Sequence, residues 1–297
     1  MSAMCTEGQR CRGCRARAVT TGARTVASAL PTLGTVVAVT ANGSALLSHT
    51  GDYLAPAFSG DALRCGEYEV ALRMTPELVT QVMATPEALV MSSGYGSHHA
   101  HFTPQTNRLV VESLVAASPA EPEADELPQI DWDLLDWRQS DQLTHLDGIF
   151  ALDRYRVLPF TGARRIDARV VPYFMAHLGQ IGLPVTIGVP GGGCLQLHRG
   201  IAESVEPDRG AIAVAFAPSD PAVGSAVRYA IDPVAVTDCW VTSAQGPAGP
   251  TSAVEFYDAT GRCVSIVTQT GAICPHLHDG WETLTAMLPD PEEDPHG

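Results

Sequence analysis

The sequence predicts an α+β protein built from two similar halves, each a large antiparallel β-sheet flanked by a few helices. Three observations predict it. Short runs of alternating apolar and polar residues dominate both halves, the pattern of strands with one covered face. Between the halves lies ASPAEPEADELPQID (117–131), whose three prolines and five carboxylates read as a linker. On either side of it, VVAVTANGSALLSHTG (36–51) and VTIGVPGGGCLQLHRG (185–200) lie on each other without gaps.

Each of those two segments reads as an apolar strand, a turn built on Asn or Gly, a second strand and a closing His-x-Gly. His49 and His198 hold the same place in the two. Further on, HFTPQTNRLVV (101–111) matches EFYDATGRCVS (255–265), both with a hairpin-like spacing of Phe and Asn-Arg or Gly-Arg. Two matches in order point to a duplication. The organisation expected is a basic, Cys-containing, disordered tail (1–25), a first β-rich repeat (26–116), the linker (117–131), a second β-rich repeat (132–290) and a short tail (291–297).

In chain order, ALVMSSGY, HAHFT and LVVESLV read as strands of the first half, and AIAVAFAP, AVEFYD and CVSIVT as strands of the second. Helices are expected over 75–85, 167–182 and 279–288. In the second of these, Val170, Val171, Phe174, Met175 and Leu178 form a helical stripe. Asp167 is its natural N-cap and Gly182 its stop.

Composition narrows the function. The chain has 297 residues, is 45% hydrophobic and carries a net charge of -15. That charge argues against nucleic acid or an anionic membrane as the main partner. There is no lysine, and all 18 cations are arginine, so a bound anion must be met by Arg, His or backbone N–H groups. No apolar run reaches the 18–20 residues of a membrane-spanning helix, and the N-terminal stretch lacks the apolar run of a secretory signal. Cys5, Cys11 and Cys14 include one C-x-x-C. Without a second pair it reads as reduced thiols sooner than as a zinc site. The other cysteines show no framework spacing and fit a reducing cytoplasm.

Four segments in order resemble the HemS/ChuS/HmuS family of haemin-degrading and haem-trafficking proteins: LPTLGTVVAVTANGSALLSHTGDY (30–53), PGGGCLQLHRG (190–200), VTDCWVTSAQGPAGPTSAVEFYDATG (236–261) and TQTGAICPHLHDGWETLTAML (268–288). The resemblance implies one haem (iron protoporphyrin IX) held by the C-terminal half beside the linking segment. It further implies a cytoplasmic role in iron acquisition. Either haem is degraded oxidatively with O2 and an external reductant, or it is carried without catalysis between a haem importer and a haem oxygenase. A related fold that no longer binds haem is the third reading. The chain would be a monomer or homodimer.

The family's axial histidine corresponds to His145 in WRQSDQLTHLDGIF (137–150), eight residues after Trp137. The residues around it are compatible with that role. A neutral imidazole is the usual protein ligand of haem iron and needs an orienting partner, for which Asp147 or the backbone is at hand. Leu143, Leu146, Ile149 and Phe150 could cover a porphyrin face. Arg154 and Arg156, followed by Arg164 and Arg165, offer guanidinium groups suited to carboxylates such as haem propionates. Gln269 is the one carry-over candidate in the closing segment. Expected family cations are missing at SAQG (243–246), at Ala41 and at 267–270, which predicts weaker or differently posed binding.

Other histidines are weaker candidates. His99 and His101 share a strand face beside His98, a surface pair by default. His276 and His278 fall in an expected loop, and His198 in an expected structural turn.

Overall fold

The computed structural model describes residues 15–66, 68–118, 133–149, 153–216 and 226–291. The first half contains β1 (Arg17–Ala18), α1 (Ala23–Ala29), β2 (Val36–Ala41), β3 (Ala45–Gly51), β4 (Ala71–Met74), β5 (Gln81–Ala84), β6 (Ala88–Ser93), β7 (Gly96–Phe102) and α2 (Arg108–Ala116). The second contains α3 (Gln142–Gly148), α4 (Asp153–Arg156), β8 (Arg164–Ile166), α5 (Val171–Ile181), β9 (Pro184–Gly191), β10 (Cys194–Asp208), β11 (Ala211–Phe216), β12 (Val227–Ile231), β13 (Asp238–Gly246), β14 (Gly249–Tyr257), β15 (Cys263–Thr268) and α6 (Pro275–Ala286). The fold is α+β, as the alternation predicts.

Neither half closes on its own. Every ladder between these strands is antiparallel, and they run β1-β5-β6-β7-β2-β3-β12-β11-β10-β9-β15-β14-β13-β8, with β4 added to β10. The halves therefore trade strands. Val227 of the second half pairs with His49 of the first, and Met74 of the first half pairs with Cys194 of the second. The tips of the two matched hairpins are also tied across. Asn42, at the tip of β2–β3, donates its amide to the carbonyls of Pro190 (3.0 Å) and Val264 (2.7 Å). The β9–β10 tip turns on Gly192 and Gly193, with φ of 64° and 77°, the left-handed conformation that a two-residue hairpin turn requires.

At Gly192 a Cβ would stand 2.5 Å from the His98 nitrogen and 2.6 Å from the Met91 carbonyl oxygen. Gly43 has a φ of 89° but nothing within 4 Å. Gly43→Ala should therefore cost only the left-handed strain of ~1–2 kcal/mol, and Gly192→Ala clearly more. Equal urea midpoints for the two variants would contradict this docking of the hairpin tip.

Several elements differ from the sequence reading. Residues 75–85 form one 3-10 turn (Pro76–Leu78) followed by β5; Gln81 pairs with Ser92, and the β-branched Val79, Thr80 and Val82 suit a ladder better than a second turn. LVVESLV is the helix α2, started by Asn107, whose side chain accepts from Leu109 N. Its buried residues Val111 and Leu114 lie three apart, so an apolar run readable as a strand is one helical stripe, and the first member of the second sequence match is no hairpin. Residues 17–25, counted as tail, hold β1 and the start of α1, and Val19 is buried in the core of the first half beside Val26 and Ala27 of α1. His276 and His278 stand in the first turns of α6. His198 lies within β10, buried, its ring 5.3 Å from that of His49. The helix expected over 167–182 is a 3-10 turn (Ala168–Val170), capped by Asp167 accepting from Arg169 N, that runs into α5, which has no side-chain cap of its own and stops at Gly182, left-handed at φ 63°. Cys5, Cys11, Cys14, Phe150 and most of the linker lie outside the described residues.

Candidate functional site

The helix carrying His145 is short, and its placement is fixed at both ends. Asp141 caps α3 by accepting from Thr144 N at 2.8 Å. Near the other end Asp147 takes the guanidinium of Arg73, a fully buried residue of β4, through Nε and Nη2, the latter at 2.9 Å, and also accepts from Ser59 at 3.0 Å. Asp147 thus ties α3 to the first half and is not the partner of His145. Leu146 and Ile149 anchor the helix in a core with Leu195, Leu197, Trp240 and Ile266; Leu146 also faces the space between α3 and the sheet, and Ile149 does not.

Between α3 and the faces of β13, β14 and β15 a narrow inner cleft of about 10 Å3 remains, room for about one water, lined by Gln142, His145, Leu146, Ala244, Thr251, Ala253 and Thr268, among others. Small side chains on the sheet side make the room. The inner cleft shares Gln142 and Thr270 with a wider outer cleft of about 710 Å3, walled by Leu54, Leu63, Cys65 and Leu143, with Arg64 and Arg199 at its polar edge. Arg199 is half-buried and donates to the Ala272 carbonyl at 2.9 Å; Arg64 is exposed. Apolar walls with a few converging polar groups are the usual build of a small-molecule site.

His145 is buried, and both ring nitrogens are engaged. Nε2 lies 2.9 Å from the Trp137 carbonyl oxygen, and Nδ1 lies 3.2 Å from Arg154 Nη2. Burial, with the charge of Arg154 beside it, lowers its pKa to about 4, so the ring is neutral at physiological pH. Arg154, expected at a propionate, stands behind His145 instead. Its guanidinium is fully buried, paired with Glu255 at 2.5 Å, and covered by the rings of Trp137 (4.1 Å) and Phe160 (4.7 Å). Glu255 is held in turn by Thr242 Oγ1 at 2.6 Å and by the Tyr257 hydroxyl.

The remaining expectations separate. Arg156 is exposed at the end of α4 and lines neither cleft. Gln269 is buried, but Thr268 and Thr270 are the residues that face the cleft. Alternation turns Gln269 to the other side, where its amide donates to the Pro184 carbonyl at 3.1 Å near α6. His99 and His101 do share a face, with rings stacked 5.4 Å apart. No group of three or more His, Cys, Asp or Glu able to hold a metal occurs among the described residues. The sequence reading missed Arg199 and Cys65 as cleft residues; neither carries a local signal, because the wall forms only when the 54–66 segment meets β10 and α3.

No family model matches the chain, and no curated protein matches its sequence. Solved structures do. A heme-binding protein from Pseudomonas aeruginosa, apo-PhuS, matches with a TM-score of 0.66 at 18% identity, covering 93% of this chain and 87% of that one. Its holo form gives 0.67 at 16% identity over the same shares. The heme degrading enzyme ChuS of Escherichia coli O157:H7 gives 0.69 at 16% identity, over 92% of this chain and 87% of ChuS. The chain therefore has the HemS/ChuS-type fold over nearly its whole length.

Proposed function

We propose that the protein binds haem in the cleft under α3, with His145 as the iron ligand, and that it serves iron acquisition in the cytoplasm as a carrier that releases its cargo. The observation that carries this reading is a neutral, buried imidazole on the inner wall of a largely apolar cleft, in a fold shared with a heme-binding protein and a heme degrading enzyme. Neutrality suits iron ligation. Arg199 and Arg64, at the outer cleft, are the cations placed to meet propionates; Arg154 and Gln269 are not. The five described cysteines outside the tail are unpaired, in keeping with a reducing compartment. Among the described residues no helix is long and apolar enough to cross a membrane.

The chain's own residues set the affinity. To reach iron through either nitrogen, His145 must give up the hydrogen bond from Arg154, and a bond involving a charged group is typically worth ~1.5–3 kcal/mol. That cost lowers affinity and speeds release, which favours carriage. Bound haem would supply an iron centre able to activate O2 under an external reductant. The apolar walls would shield it, and α3 with the small-residue face of β13–β15 would orient it.

Haemin titration of the apo-protein should saturate at one equivalent. In His145→Ala the Soret band should shift, with affinity at least about tenfold weaker. An identical saturable spectrum in both proteins would remove His145 as the ligand. Ascorbate added under air should leave the Soret band of the wild type in place. Its progressive loss would favour oxidative degradation over carriage.

A further inference from the structure

The hydrogen bonds of His145 fix more than its position. A guanidinium has donors and no acceptor, so Arg154 Nη2, 3.2 Å away, makes His145 Nδ1 the acceptor. A ring that accepts at Nδ1 carries its one proton on Nε2, which donates to the Trp137 carbonyl at 2.9 Å. Neither nitrogen then has a lone pair to offer. Ligation through Nε2 requires the proton to move to Nδ1, where it would meet an Arg154 N–H head-on. Ligation through Nδ1 requires Arg154 to leave.

We infer that Arg154 is a positioning residue that latches His145 in a form unable to bind iron, so that loading the cleft requires displacing the Arg154 guanidinium from His145. The inference rests on the reading of His145 as the ligand. Three contacts hold the latch shut: Glu255, itself fixed by Thr242 and Tyr257, the ring of Trp137 and the ring of Phe160. Trp137 acts twice, stacking on the cation with its ring and accepting from the histidine with its carbonyl. Glu255 lies two residues beyond Ala253 on β14, so both side chains face the same side of the sheet, and Ala253 lines the inner cleft. A group that opened the inner cleft would therefore arrive beside the latch.

A merely structural Arg154 and a latch predict opposite results. The double substitution Arg154→Met with Glu255→Gln removes the cation without leaving either charge buried alone. In it, haemin should bind faster and at least about tenfold more tightly than in wild type, the affinity no longer bearing the loss of a charged hydrogen bond. Binding no faster and no tighter than wild type in a folded double variant would overturn the latch. Imidazole 15N NMR of the apo wild type tests the same claim without any substitution. It should show His145 solely as the Nε2–H tautomer, and an Nδ1–H form would refute the latch even if the double variant failed to fold. The His145→Ala titration separates the two claims. Unchanged haemin binding there removes the ligand and the latch together, whereas weakened binding there with no gain in the double variant removes the latch alone.

Discussion

Glu255→Gln should lower folding stability by about 3–5 kcal/mol, the usual cost of leaving one member of a buried ion pair without its partner. Both Arg154 and Glu255 are fully buried. Burial alone pushes the Glu255 carboxyl up, but the Arg154 guanidinium, with hydrogen bonds from Thr242 and Tyr257, pulls it below the usual carboxylate value. Glutamine keeps the shape and can keep the Thr242 contact, yet it leaves the cation uncompensated among Trp137, Phe160 and His145. The exposed pair Arg17–Glu112 is the natural control, since solvent screens it, and Glu112→Gln should leave the urea midpoint almost unmoved. A Glu255→Gln midpoint close to that of wild type would mean that Arg154 finds water or another partner.

Acid should unfold the protein steeply below about pH 6. His49, His98 and His198 are all buried. Burial is the main cause that lowers their pKa values, to about 4, 3 and 3, with neighbouring histidines adding to the shift at His98 and His198. His98 is held neutral by specific bonds as well. Thr40 Oγ1 gives its proton to Gln196 Oε1 (2.8 Å) and so accepts from His98 Nδ1 (2.7 Å), while the Tyr53 hydroxyl donates to Nε2 (2.7 Å). The ring nitrogens of His198 have no hydrogen-bond partner among the described residues, and its ring meets that of His49 where β3 of one half faces β10 of the other.

The unfolded chain protonates such groups near pH 6.5, whereas the folded one does so only below about 4. Between those values the unfolded state binds more protons, and stability falls as pH drops. Each histidine contributes up to ~1.4 kcal/mol per pH unit, so the three together approach ~4 kcal/mol per unit. Above pH 7 they contribute no slope. Urea midpoints at pH 7, 6 and 5 measure this directly, and a flat profile would show that these imidazoles reach solvent or protonate without penalty.

Much of the fold was legible because local chemistry and tertiary placement agree. Alternation marked β11, β14 and β15, and Asp167 and Gly182 marked the two ends of the helical stretch that contains α5. The two matched hairpins were readable because turn residues and strand lengths coincide. Residues 75–85 and 108–116 were read the wrong way round, since a short apolar run fits a strand and a helix equally and only its neighbours decide. The ladder to β6 settles the first, and the Asn107 cap with the Val111–Leu114 stripe settles the second.

At the site the position of His145 could be read, but its partners could not. Trp137 acts through a backbone carbonyl that any residue would supply, and Glu255 stands 101 residues from Arg154. The exchange of β4 and β12 between the halves leaves no trace in sequence, because strand pairing partners are chosen by topology.

Hydrogen exchange with and without one equivalent of haemin tests whether haem enters the cleft beneath α3. Protection should change at the amides of 142–149 and 268–271, which border the inner cleft, with β5 to β7 unchanged. Changes confined to β7, around His99 and His101, or absent from α3, would contradict it.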